Sequence, residues 1–92
     1  MNPVKAIVTV LGKDAVGIIA GVANTLASQN INVMDINQTV MQGYFTMVMV
    51  VDLALCEASF EEIADILHAY GESRGLSIRI QRGDIFDAMY QI

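Results

Sequence analysis

A chain of 92 residues that is 54% hydrophobic and 16% charged, with ten acidic against five basic side chains and a net charge of −5, has room for one core and no second domain. The acidic balance and the lack of a basic cluster argue against nucleic-acid binding, and a single cysteine, Cys56, leaves no internal disulfide and no cysteine-pair metal or redox motif. Globular domains carry roughly 25% charged residues, so this composition predicts that the chain covers apolar surface by self-association. No charged-then-apolar leader opens the sequence, and the longest apolar run, Met47 to Val51, is far short of the ~20 residues that span a bilayer. A cytoplasmic chain without a membrane partner is the expectation.

Val4 to Leu11 is apolar and rich in β-branched residues, the pattern of a first strand. Apolar side chains then recur at Ile19, Val22, Ala23 and Leu26, the spacing of a helix face. Between them lies Gly12-Lys13-Asp14-Ala15-Val16-Gly17-Ile18, a glycine-bounded turn with a single carboxylate. The polar stretch Ser28 to Asn32 connects to a moderately alternating run, Val33 to Gln42, and a strongly apolar one, Phe45 to Leu53, with Gly43-Tyr44 between them. Two such runs so close together read as an antiparallel hairpin.

Ser59 followed by Glu62 is a capping box, in which a hydroxyl serves the first free amides and a carboxylate reaches back. A second helix therefore starts there, with Phe60, Ile63, Ile66, Leu67 and Tyr70 on one side. Gly71 lies inside that pattern at a cost of ~1 kcal/mol relative to Ala, and Gly75 is the expected stop. Leu76-Ile78-Ile80 then alternates with Ser77-Arg79-Gln81 as a fourth strand. In residues 83–92 Asp84 precedes Ile85, Phe86, Met89 and Tyr90 at helical spacing. A helix this short needs a surface to dock on, in its own assembly or on another protein.

The order β-α-β-β-α-β, with right-handed crossovers, predicts an α+β, ferredoxin-like sandwich: a four-stranded antiparallel sheet with strands one and three central and both helices on one face. The third strand places Phe45, Met47, Met49 and Val51 on one side and Val48 and Val50 on the other. Apolar residues on both faces, with helices over one, predict a partner through the open face or an edge strand.

The loop after the first strand ends at a helix N-terminus, where unpaired amides and the positive end of the helix dipole favour an anion, and Gly17 lets it approach the backbone. Together with the βαββαβ order, the segment Asn30-Ile31-Asn32-Val33 and the hairpin around Gly43-Tyr44-Phe45-Thr46, this loop resembles the ACT domain, the small-molecule sensor of amino-acid metabolism. The chain is most similar to stand-alone prokaryotic ACT proteins, over essentially its full length. The resemblance implies a homodimer that joins two sheets side by side. It also implies an amino-acid site built from Gly12, Asp14, Val16, Gly17 and Ile18 of one subunit and Asn32 of the other. The chemistry is consistent: the helix N-terminus suits the carboxylate of a free amino acid, Asp14 its ammonium group, and Asn32 can donate or accept.

Each feature also has a plainer reading. Asp14 can cap the first helix, Gly12 and Gly17 can serve turn geometry, and Asn30 and Asn32 are good turn residues. His68 shares a helix face with Glu61, Asp65 and Glu72, which reads as a solvated acidic stripe rather than a metal site. The methionines Met34, Met41, Met47 and Met49 read as core or interface filler. No nucleophile with a base, no metal cluster and no cofactor loop stands out, so neither an enzyme nor a cofactor is expected. An acylphosphatase-like activity, for which this strand order would serve, needs an arginine in the first loop, whereas Arg74, Arg79 and Arg82 all come late. Two functions remain: a regulatory domain that senses an amino acid or similar zwitterion at a subunit interface, or an interaction and oligomerisation module without a ligand.

Overall fold

The computed structural model describes residues 4–13 and 17–83. Six elements follow in the expected order: β1 (Lys5–Gly12), α1 (Ile18–Ser28), β2 (Asn32–Met41), β3 (Tyr44–Asp52), α2 (Phe60–Arg74) and β4 (Ser77–Arg82). All pairings are antiparallel and the strand order is β2-β3-β1-β4, so β1 and β3 occupy the centre. This is the ferredoxin-like sandwich. The C-terminal segment after Gly83, and Asp14 and Val16 of the first loop, lie outside the described residues.

Period-two alternation sorts the central strands into two faces. Ala6, Val8 and Val10 of β1 and Met47, Met49 and Val51 of β3 are fully buried beneath the helices, each larger side chain contributing about 1.5–3 kcal/mol by leaving water. Ile63 and Leu67 of α2 close the core from above, with Ile78 of β4 at its edge. On α1 the buried stripe is Ile18, Val22 and Leu26. The expected face includes Val22 and Leu26 correctly, but Ile19 and Ala23 are only half-buried, because α1 begins at Ile18 and turns that residue inward.

The caps work as the side chains require. The amide of Glu62 donates to Ser59 Oγ at 3.1 Å, and the Ser59 hydroxyl donates to Glu62 Oε1 at 3.2 Å, so the capping box forms. α2 ends at Gly75, whose φ of 70° is left-handed. Gly71 is there for proximity. A Cβ on it would stand 2.7 Å from the carbonyl oxygen of Leu76, so only glycine lets α2 descend this closely onto the start of β4. The two helices meet similarly, with the Tyr70 hydroxyl occupying the space that a side chain at Gly21 would need.

The second sheet face has no helix over it. Leu11, Val48 and Tyr44 on that face are 45%, 37% and 48% exposed, and β2 is an edge strand along which only Val33 is even half-buried. Both apolar faces expected of the sheet are therefore present. No helix among the described residues is long and apolar enough to cross a membrane.

Candidate functional site

β1 and β3 run in opposite directions, as do β3 and β2, so β1 and β2 point the same way. Their shared register defines two ends. Lys5, Asp52 and Asn32 lie across the foot of the sheet, and Gly12, Phe45 and Val40 across its top. α1 starts at the top, where β1 delivers the chain, and α2 finishes there, immediately before β4 begins.

The top end thus brings together Gly12, Gly17, Ile18 and the last turn of α2. Gly12 is buried, and a side chain on it would run into that of Leu76 and stand 3.6 Å from Ile18 Cδ1, so close packing accounts for that glycine. Gly17 is different. It is exposed, it is the N-cap of α1 with φ 73° and ψ −2°, and it offers no side chain to the first-turn amides. The first turn of α1 contains no acidic residue either, whereas α2 has a serine cap and both Glu61 and Glu62 in its first turn. Among the described residues no side chain caps α1 or sets a carboxylate in its first turn, so of the two helices it is the one whose positive end suits an anion.

Arg74 adds a formal charge there. Its Nη2 lies 3.5 Å from where a Cβ on Gly17 would stand, and its guanidinium lies 5.9 Å from the centroid of the Tyr70 ring. As the basic residue in the last turn of α2, Arg74 also offsets the negative end of its own helix. Sequence position had set all three arginines apart from the first loop, but the fold returns one to it. The topology held the signal, since in a βαββαβ chain the end of the second helix meets the start of the first.

Asn32 is elsewhere. It is exposed at the foot of β2, and seven residues of β1 separate the level of Lys5 from that of Gly12, roughly 24 Å along the strands. One chain does not bring Asn32 to the Gly17 turn. A second chain running antiparallel alongside β2 exchanges foot for top, which is the relation that a side-by-side dimer requires.

His68 Nε2 lies 3.4 Å from Glu72 Oε1 with both side chains 72% exposed, and among the described residues no group of His, Cys, Asp and Glu side chains is placed to hold a metal ion. The acidic stripe of α2 is a solvated face. A cleft of about 660 Å³ opens on the helix-free side of the sheet near the hairpin tip, lined by Leu11, Thr39, Met41, Gln42, Tyr44 and Thr46.

Comparison with known proteins agrees with this architecture. The ACT domain profile matches residues 5–81. A UPF0237 protein of Listeria innocua is 48% identical over 88 residues, which is 96% of this chain and 99% of that protein. Among solved structures, an ACT domain protein from Streptococcus pneumoniae superposes with a TM-score of 0.84 at 43% identity, covering 97% of this chain and all of the other. The regulatory subunit of aspartate kinase from Thermus thermophilus, at 24% identity, shares the fold with a TM-score of 0.64 over 87% of this chain and 52% of its own. The chain belongs to the ACT domain family. Within it, the chain resembles small UPF0237 proteins that consist of this one domain.

Proposed function

We propose that the protein is a regulatory domain that binds a free amino acid, or a similar small zwitterion, between two copies of itself. The observation that carries this reading is the N-terminus of α1 at Gly17, which no side chain among the described residues caps, with the Arg74 guanidinium beside it, in a chain that is otherwise acidic. Gly17 and the amides that follow, starting at Ile18, receive the carboxylate, and Arg74 pairs with it. Asp14 is assigned to the ammonium group, with Val16 and Gly12 shaping the turn. Asn32 of the second copy closes the site from the other side. Membership of the ACT family and the shared fold of an aspartate kinase regulatory subunit support a sensing role over a catalytic one.

The mechanism is linkage. A ligand held by two subunits at once stabilises their association, by about 2.7 kcal/mol at one hundred times its dissociation constant. Calorimetry against the twenty amino acids tests the reading. A binder is expected whose affinity falls at least tenfold in Arg74→Ala and in Asn32→Ala, with light scattering showing stronger self-association when it is present. No heat from any of them at millimolar concentration overturns the sensor.

A second reading, an assembly module with an empty loop, draws on the exposed apolar residues of β2 and the cleft at Leu11, Met41 and Tyr44. Self-association that is strong without ligand and indifferent to Arg74 and Asn32 favours it.

A further inference from the structure

The helix-free face of the sheet is polarised from side to side. Lys5 and Arg79 alternate with the core residues Ala6 and Ile78, and Asp52 with Val51, so all three side chains belong to the opposite face. Asp35, in register with Val50, joins them there. The strand order β2-β3-β1-β4 then puts the two acids, Asp35 on β2 and Asp52 on β3, on one flank, and the two bases, Lys5 on β1 and Arg79 on β4, on the other. Between the flanks run uncharged side chains, with Ile7 beside Val50 and Thr9 beside Val48. In a chain of net charge −5, the strands make this face neutral but divided.

A face so divided is complementary to itself. Two copies laid face to face about a two-fold axis along the strands, midway between β1 and β3, exchange left for right and leave foot and top in place. The registers fix what meets. Lys5 of one copy stands over Asp52 of the other, Ile7 over Val50 and Thr9 over Val48. β4 of one copy lies over β2 of the other, so Arg79 arrives over Asn37, the neighbour of Asp35 on that face and within the reach of an arginine side chain. Asp52 is held in place at the foot, its Oδ1 accepting from the amides of Val4 and Ala54 at 3.0 Å each. Sheets stack in this way about 10 Å apart with strands within about 30° of one another. A two-fold axis across the strands would instead lay base on base and acid on acid, and a polyanion or polycation would meet one flank and be repelled by the other. Charge thus selects both the partner and the axis.

We propose that the helix-free face is an interface between two copies of this chain, paired about an axis along the strands, with Arg79 of each copy against Asp35 of the other and Lys5 against Asp52. The contact is separate from pairing along the β2 edge and needs no ligand.

Arg79 and Asp35 decide the matter, because both are exposed and within one chain they stand three strands apart, about 14 Å across the sheet. Arg79→Glu and Asp35→Lys each bring like charges together twice in a pair of copies. Each is expected to weaken self-association about tenfold in sedimentation velocity while the circular dichroism is unchanged. Mixed in equal amounts, the two variants are expected to associate as tightly as the parent, since each supplies the charge that the other lacks. Arg79→Lys, which keeps the charge, is expected to leave association intact. A parent that is monomeric at every concentration overturns the proposal, as do single variants that associate like the parent or a mixture no tighter than its components. Pairing along β2 leaves Arg79 at the far edge of the sheet and cannot imitate the rescue by mixing, so failure of that rescue leaves the ligand reading standing.

Discussion

Gly71→Ala puts the close approach of α2 and β4 to a quantitative test. In an exposed helix interior the substitution stabilises by about 1 kcal/mol, because alanine loses less backbone entropy than glycine on folding. At this position the new methyl would stand 2.7 Å from the Leu76 carbonyl oxygen and 3.3 Å from Ile78 Cγ1. Neither neighbour yields cheaply. The Leu76 amide donates to the Gly71 carbonyl at 2.8 Å, and Ile78 is held in the core opposite Val10. Overpacking of this kind costs about 1–3 kcal/mol, which cancels or outweighs the helical gain and leaves a net loss of up to about 2 kcal/mol. For a domain of this size that lowers the melting temperature by up to roughly 16 °C. Thermal unfolding followed by circular dichroism measures it, at one protein concentration because the proposed self-association would move the midpoint. Ser73→Ala, exposed on the same helix, is the control and should move stability by less than about 0.5 kcal/mol. A Gly71→Ala midpoint above that of the parent refutes the reasoning.

Gly12→Ala should cost less than Gly71→Ala in the same assay, because its obstacle is the end of the Leu76 side chain, which can turn aside, rather than a backbone carbonyl. Leu26→Ala removes a side chain that is 1% exposed from the contact between α1 and the sheet and should destabilise by about 2–5 kcal/mol in urea unfolding. Ser59→Ala removes the α2 cap and should cost about 1 kcal/mol, while unfolding stays two-state. Val40→Lys places a charge at a 69% exposed site on the β2 edge and should weaken self-association by light scattering without lowering the helical signal; an unchanged oligomer moves the interface away from β2.

The architecture could be read from the residues because its determinants are local. The alternation in β3, the Ser59–Glu62 box and the stop at Gly75 each specify an element through neighbours within a few positions. Their order leaves few ways to connect the strands. What the residues alone do not show is how close the folded elements approach one another and where a helix begins without a side-chain cap. Gly71 carries a cost in helix propensity whose reason, the carbonyl of Leu76 beneath it, exists only in the folded chain. Arg74 looked remote from the first loop, although the crossover that sets β1 beside β4 carries the end of α2 to Gly17. The small shift of the α1 stripe, from Ile19 to Ile18, came from where the helix begins, which depends on a glycine cap that carries no side-chain signal. For the proposed ligand residues the structure supplies places: Gly12, Gly17 and Ile18 at one end of the sheet and Asn32 at the other.

That parallel run of β1 and β2 has a consequence for dosage. The halves of the proposed receptor sit at opposite poles of one polypeptide, so the proposed pocket would be incomplete until two polypeptides pair, and each pairing about a two-fold axis would create two pockets together. Occupancy of the proposed site would depend on the abundance of the protein as well as of the metabolite, so that at lower copy number more ligand is needed to draw the two halves together.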